Sequence, residues 1–328
     1  MSLAPYIHAM GRGPSRARSL TEDEARDAMS RIMAGTAAPE AVGALLMLMR
    51  YRGETPGELA GFVHAIRETL PAWPGDAPAL DWPSYAAGRS RGLPWFLLSA
   101  RLVAGAGLPV LLHGWNSHQA AVASVTNALP HTGIASAASL DSAAELIAKD
   151  GIAYLPLSVL SPRALELIRL RDVLGLRSAV NTTMRLLNPA GAPASVQGIF
   201  HPPYRDLQAE AALLLGQPAS AVIKGGGGEF ERNPGKAIHV GGATTGVLRD
   251  ITAEPLLPDA STRLRDGPEA GTPDALAALW SGALDDPYAE AIVTGTAALA
   301  LLTCGRAKTV TEADALSRQI WANRNRTP

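Results

Sequence analysis

The feature that most constrains the fold is a change of hydrophobic period near residue 71. Before it, apolar residues recur at helical spacing; beyond residue 94, helical runs alternate with short β-prone ones. Thr21 followed by Glu24 forms a capping box, and Ala25, Met29, Ile32 and Met33 then share one face, which predicts a helix over 22–34 stopped by Gly35. A second helix follows Pro39; Val42, Leu45, Leu46, Leu48 and Met49 make it too broadly apolar for a surface helix, so burial on two sides is expected, one of them open to a subunit interface. Thr55, Pro56 and Glu58 repeat the cap, first-turn proline and box residue, and Leu59, Phe62, Val63 and Ile66 carry a third helix to about Leu70. These three helices predict a small helical domain over 1–75.

The proline-rich stretch Pro71–Pro83 closes that pattern and marks a crossing into a second domain. From Pro94 the reading is helix 95–105, strand 109–112, helix 119–129, helix 140–149, strand 152–157 and a helix from Ser161–Pro162 to Leu174 with Gly175 as its stop. Strands at 195–200 and 220–223 then flank a helix at 205–215, followed by strands near 237–240 and 246–252 and helices 273–283 and 287–304. Such alternation predicts an α/β fold: a small helical domain plus a larger α/β domain with a mostly parallel central sheet.

Composition narrows the setting. A chain of 328 residues, 47% hydrophobic and with a net charge of -1, has room for one large or two unequal domains. The single cysteine, Cys304, excludes an internal disulfide and a cysteine metal cluster, which suits a reducing cytosol, and its apolar helical surroundings predict a core position. The opening lacks the apolar stretch of a signal peptide, and no window offers a membrane span, so a cytoplasmic protein with no membrane partner is expected. Near-neutral charge argues against a surface that is basic all round, yet leaves room for a local cationic patch.

Three segments carry a family resemblance. Leu20–Leu70 resembles the opening helices of the anthranilate phosphoribosyltransferases of glycosyltransferase family 3, relatives of the pyrimidine nucleoside phosphorylases. Leu170–Ala190 looks like that family's Arg-x-x-Leu-Gly-x-Arg segment ending in Leu-Asn-Pro, and Ser195–Glu231 follows its strand, helix and strand in order. The resemblance implies that about 163–190 folds back to join the helical domain, leaving 76–162 and 191–328 as the phosphoribosyl-binding type of α/β domain. It also implies a homodimer through the helical domain. The family, related to tryptophan biosynthesis, transfers a phosphoribosyl group from phosphoribosyl pyrophosphate to an amine or base. That chemistry needs backbone N–H groups for phosphates, carboxylates for Mg²⁺, and cationic or amide side chains to orient sugar and acceptor.

The family motifs are altered here. Where the resemblance places Gly-Thr-Gly-Gly-Asp, the chain has YAAGRSRGLPWF over Tyr85–Phe96; Gly88, Arg89 and Arg91 then either grip a phosphate by charge or form a solvated turn. Where it places Lys-His-Gly-Asn-Arg, the chain reads Leu112, His113, Gly114, Trp115, Asn116, so His113, Gly114 and Asn116 are candidate donor contacts, with a structural strand-end histidine as the alternative. The Asp-Glu pair for Mg²⁺ falls on KGGGGEFERNP, placing Glu229 at the aspartate and Phe230 at the glutamate; Glu229 and Glu231 become the candidate metal ligands. Lys224 and Gly225–Gly228 read equally as an anion nest or a flexible lid. Arg171 matches an acceptor-facing arginine of the family and Ser161 stands at its acceptor-site histidine, while Asn181 and Asn188 read as structural.

Two functions follow from these substitutions. One is pentosyl transfer from phosphoribosyl pyrophosphate, or binding of another phosphorylated ligand, with a degenerate donor site and an acceptor other than anthranilate. The alternative is a sequence-independent nucleic-acid binder, single- or double-stranded, resembling the YbiB-type branch of the family. In that case Arg89, Arg91, Lys224 and Arg232 line one cleft, and Arg12, Arg16, Arg18, Arg324 and Arg326 add movable terminal cations.

Overall fold

The computed structural model describes residues 2–13, 15–86, 92–115, 123–260 and 271–327. Four helices open the chain: α1 (Ala4–Gly11), α2 (Glu22–Met33), α3 (Pro39–Arg52) and α4 (Pro56–Arg67). Both capping boxes form, and Glu58 serves two helices at once. One of its carboxylate oxygens accepts the Thr55 N–H at 2.8 Å, while the other accepts the Leu20 N–H at 2.8 Å just ahead of α2. Gly61 lets α2 and α4 touch backbone to backbone, since a methyl there would land on the Glu22 carbonyl. The sequence reading missed α1, whose short apolar face of Leu3, Tyr6 and Met10 is buried but lacks a side-chain cap.

The larger part follows as β1 (Leu80–Ser84), α5 (Phe96–Gly105), β2 (Val110–Gly114), α6 (Val125–Ala128), α7 (Leu140–Asp150), β3 (Ile152–Pro156), α8 (Leu157–Leu160), α9 (Pro162–Leu174) and α10 (Ala179–Thr183). It continues with β4 (Ala194–Ile199), α11 (Pro203–Leu214), β5 (Ala219–Lys224), β6 (Ile238–Thr244), β7 (Val247–Ala253), α12 (Asp274–Ser281), α13 (Pro287–Thr303) and α14 (Val310–Ala322). The helix expected over 119–129 is shorter where it is described: α6 gives way to a 3₁₀ turn at Leu129–His131, where Pro130 cannot continue an α-helical ladder, and residues 119–122 lie outside the described residues. Cys304 packs at the edge of the core rather than within it. It caps the end of α13, half-buried, and burial pushes its thiol up to about 12.

The seven strands order as β3-β2-β1-β4-β5-β6-β7, parallel from β3 to β5 and antiparallel beyond. Alternate strand residues face opposite cores. Leu111, Ala153 and Leu155 join the cluster that contains the helical bundle, α9 and α10, whereas Trp82, Leu112 and Val196 face α5, α12 and α13. Arginines fasten the 163–190 region to the bundle: Arg163 donates to the Ile32 carbonyl at the end of α2, and Arg67 at the end of α4 donates to the carbonyls of Leu187 and Leu186. Among the described residues no helix is long and apolar enough to cross a membrane.

Candidate active site

The chain leaves β1 toward β2 and β3 on one side and returns to β4 and β5 on the other, so β1 and β4 flank a topological switch point. In open α/β sheets the crevice beyond the carboxyl ends at such a point is where ligands bind. Here Ser84–Ala86, Gly114–Trp115, Phe200–His201 and Gly225–Glu231 converge there.

Two glycines permit the closing segment. A methyl at Gly198 would overlap the backbone of Glu229 and Phe230, and one at Gly225 would overlap the Glu229 carbonyl. The segment therefore lies directly across the end of β4. Phe230 points into the core against Trp82, with ring centroids 5.5 Å apart, and so anchors the two flanking glutamates. Glu229 accepts from the Ser84 hydroxyl at 2.9 Å and from the Ala86 N–H at 3.2 Å. Glu231 accepts the Phe96 N–H at 3.1 Å and so provides the negative charge at the start of α5 that no local cap supplies. Both carboxylates are buried, and together they hold the two ends of the 86–96 connection. Among the described residues no group of three or more His, Cys, Asp or Glu is arranged to hold a metal ion.

His113 is buried at the end of β2. Its Nε2 lies 3.0 Å from an Asp81 carboxylate oxygen and its Nδ1 is 2.8 Å from the Tyr85 hydroxyl. Ser195 donates to the other Asp81 oxygen at 2.8 Å. This is the strand-end hydrogen-bonded histidine of the alternative sequence reading, engaged on both ring nitrogens by its own chain. Gly114 is required by packing, because a methyl there would meet the Ser84 carbonyl.

The four-glycine run forms a tight turn whose N–H groups are largely used by the chain. The N–H groups of Gly225, Gly226, Gly228 and Glu229 all donate to carbonyls of the chain, and Gly227 and Gly228 take positive φ in a single tight turn against Ala86 and Phe200. Lys224 is exposed in a separate recess with Arg205 and Lys236. The Ser161 hydroxyl accepts the Ala164 N–H at 3.3 Å as the N-cap of α9. Gly88, Arg89, Arg91 and Asn116 lie outside the described residues.

Beside the strand ends, the bundle, the turn after α9, α10 and α11 enclose a cleft of about 270 Å³. Arg171 opens onto it, and three further arginines do so too: Arg50, Arg177 and Arg185. Burial first, and then the charges of Arg185, Arg171 and Arg50, pull the Arg177 guanidinium down to about 10. Arg185 is buried and donates to the carbonyls of Asn181 and Tyr85; burial lowers its pKa while the nearby Glu229 charge opposes that shift. Arg50 donates to the Tyr204 hydroxyl at 2.9 Å, and that hydroxyl donates to Glu54 at 3.0 Å. Burial raises the pKa of Glu54, against the pull of Arg50. Three polar atoms on the cleft residues, Arg171 Nη1, Asn181 Oδ1 and Gln208 Oε1, are buried without a hydrogen-bond partner.

Sequence reasoning missed Arg50, Arg177, Arg185, Tyr204 and Gln208, and read Asn181 as structural. Arg177 was visible as the second arginine of the Arg-x-x-Leu-Gly-x-Arg segment, and Arg185 as a lone cation within an apolar stretch. Arg50 and Tyr204 lie 154 residues apart and leave no local signal. Asn188 is structural as read: at positive φ it bonds Ala192 and Gln217.

Several cations assigned to a nucleic-acid surface are engaged elsewhere. Arg232 is buried, paired with Asp314 at 2.6 Å and donating to the Glu254 carbonyl. Arg18 forms a two-pronged pair with Glu24. Arg324 stacks on Trp321 with its guanidinium carbon 3.5 Å from the ring centroid and donates to three backbone carbonyls, so it is not a movable tail.

Residues 4–70 match the helical bundle domain of a glycosyl transferase family, and residues 96–323 match the a/b domain of that family. The anthranilate phosphoribosyltransferase of Afipia carboxidovorans is 30% identical over 303 residues, covering 91% of this chain and 89% of that protein. The Bordetella pertussis anthranilate phosphoribosyltransferase is 28% identical over 310 residues, covering 93% and 90%. Among solved structures, the Thermus thermophilus anthranilate phosphoribosyltransferase superposes with a TM-score of 0.80 at 26% identity, covering 96% of this chain and 93% of that one. The Saccharomyces cerevisiae enzyme, solved in complex with PRPP and Mg, shares the fold with a TM-score of 0.78 at 15% identity, covering 98% and 93%.

Proposed function

We propose, from the premise that this chain belongs to the glycosyl transferase family of the anthranilate phosphoribosyltransferases, that it moves a phosphoribosyl group from phosphoribosyl pyrophosphate to an acceptor other than anthranilate. The observation that carries this reading is Arg185. Its guanidinium stands on the wall of the four-arginine cleft and also within electrostatic reach of Glu229 at the strand ends, so a donor at one and an acceptor at the other meet across it. In the reaction the acceptor nitrogen forms a bond to the anomeric carbon, the bond from that carbon to pyrophosphate breaks, and the nitrogen's proton leaves to solvent or to the product.

Bound beside the donor, Mg²⁺ would supply charge neutralisation of the pyrophosphate leaving group. Glu229 is the carboxylate that would hold it, because the hydrogen bonds from Ser84 and Ala86 both fall on one of its oxygens, Oε1, at the end of β1 where the donor is placed, whereas Glu231 binds at the start of α5. Arg185 supplies a fixed cation in a low-dielectric site, where preorganised charge acts most strongly. With YAAGRSRG replacing a glycine-rich loop, donor affinity is expected to be weaker than that of a relative carrying Gly-Thr-Gly-Gly-Asp.

The test is calorimetric titration of the purified protein with phosphoribosyl pyrophosphate, with and without Mg²⁺, followed by assay of pyrophosphate release with aromatic amines. Saturable, Mg²⁺-dependent binding that weakens in Glu229→Gln supports the reading. Absence of donor binding at millimolar concentration sinks it.

A second reading, nucleic-acid binding, is favoured by one observation: the recess with Lys224, Arg205 and Lys236 shares Ile199 with the arginine cleft, so two cationic hollows adjoin. Binding of a short single strand that falls steeply between 50 and 200 mM salt, on the order of a thousandfold for six phosphate contacts, distinguishes it. For assembly we propose a homodimer through the bundle, supported by Tyr51 at the end of α3 and Val173 at the end of α9, 90% and 82% exposed. Light scattering that gives a monomer at micromolar concentration counts against it.

A further inference from the structure

We infer that the arginine cleft takes an acceptor carrying at least two acid groups together with an N–H donor, rather than a monoacid. This rests on the transferase reading for the word acceptor, but the ligand chemistry rests on the cleft alone. Four guanidinium groups line the cavity, and two have a carboxylate of the chain beside them: Arg50 is linked through Tyr204 to Glu54, and Arg185 is faced by Glu229. Among the described residues none of the four makes an ion pair with a carboxylate, and Arg171 and Arg177 lack even the bonded relay that ties Arg50 to Glu54. Two uncompensated cations in a half-buried cavity call for two anionic groups from a ligand, since like charges brought together out of water repel strongly.

The orphaned polar atoms refine the class. Arg171 Nη1 is a buried donor awaiting an acceptor oxygen, while Asn181 Oδ1 and Gln208 Oε1 are buried acceptors awaiting a donor. Asn181 is 5% exposed and Gln208 1%, so neither can satisfy itself in bulk water. A site built this way rejects an analogue lacking the matching group, because binding then leaves its own polar atoms unpaired. The cleft of about 270 Å³ suits a ligand of one ring or similar size, and Phe200 and Tyr204 on its wall offer aromatic surface for that body. An amine-bearing aromatic with two carboxylates, or with a phosphate ester, meets all of these demands.

The experiment compares three probes on the full chain by calorimetry at neutral pH: anthranilate, 3-aminophthalate and 2-aminophenyl phosphate. The expected result is that at least one of the latter two binds about tenfold or more tightly than anthranilate, a difference of ~1.4 kcal/mol. Arg177→Gln is expected to remove that preference to within about twofold, while Arg177→Lys keeps part of it, with thermal unfolding confirming that each variant is folded. Which of the two probes wins identifies a pair of carboxylates or one doubly ionised phosphate as the acid groups recognised. Equal affinity for all three probes, no binding of any, or a preference that survives Arg177→Gln overturns the inference. Phosphoribosyl pyrophosphate titrated in parallel separates the two proposals. Donor binding without probe preference leaves the transferase reading standing and removes this one; probe preference without donor binding does the reverse.

Discussion

At the strand ends the charged groups are bonded largely to the chain itself, whereas in the arginine cleft like charges gather with few such bonds. Glu229 holds Ser84 and Ala86, Glu231 holds Phe96, and His113 sits between Asp81 and Tyr85. A few residues away, Arg171, Asn181 and Gln208 keep buried atoms with no partner, and Arg177 faces three like charges. The difference separates two uses of a buried polar group. One bonded mainly within the chain braces a loop, and one left unpaired is maintained against a stability cost that a ligand can offset.

That contrast fails if the strand-end groups prove dispensable. Replacing His113 with Ala leaves Asp81 with only Ser195 and strips Tyr85 of its partner, so a loss of about 3–5 kcal/mol is expected by chemical denaturation. A loss below about 1 kcal/mol breaks the comparison at its strongest point. Gly198→Ala should cost about 3 kcal/mol, because the added methyl must displace the backbone of Glu229 and Phe230 rather than a movable side chain. Glu231→Ala, leaving the Phe96 N–H and the start of α5 without their carboxylate, should cost about 2 kcal/mol, and a tolerant variant would show that the glutamate is held for a ligand instead.

The cleft should respond in the opposite sense. The folded pKa of Arg177, about 10, lies below its ordinary 12.5, so the charged form is disfavoured by folding at every pH below that value. Arg177→Gln should therefore leave stability unchanged or raise it by up to about 1 kcal/mol, after allowance for solvent screening. Clear destabilisation of the free protein would assign Arg177 a structural role. The smallest effect is expected in the bundle, remote from both regions. Arg18, the Thr21 backbone and the remaining partners hold the Glu24 carboxyl at about 2, below its ordinary 4.5, so its contribution is complete above pH 4.5 and fades as pH falls toward 2. Glu24→Gln should flatten that acid limb by lowering the neutral plateau slightly, and leave stability below pH 2 nearly unmoved.

The helices were legible because their signals are local. Thr21 with Glu24, Thr55 with Glu58 and Ser161 ahead of Pro162 each place a cap within four residues of what it caps, and all three form. The strands were legible because runs such as Val110–Leu112 and Val222–Ile223 alternate between two cores. α1 escaped because its apolar face is short and uncapped, and Cys304 was misplaced because an apolar helix ends one residue before it. The candidate site was half legible: Arg171 lies on a motif, but the groups that join it come from α3, α10 with the turns on either side of it, and α11.

By itself, then, the sequence determined the sequence of capped helices and β-runs, the resemblance that orders them, and the motif positions at which a family site has changed. These depend on spacing along the chain, which periodicity reports directly. Only the tertiary structure decided what the charged residues do. Whether Glu231 meets a metal or an N–H, whether Arg232 faces solvent or Asp314, and how many guanidinium groups converge near Arg171 depend on partners tens to more than a hundred residues away. Their energies are set by distance and burial in three dimensions, and neither is written into local spacing.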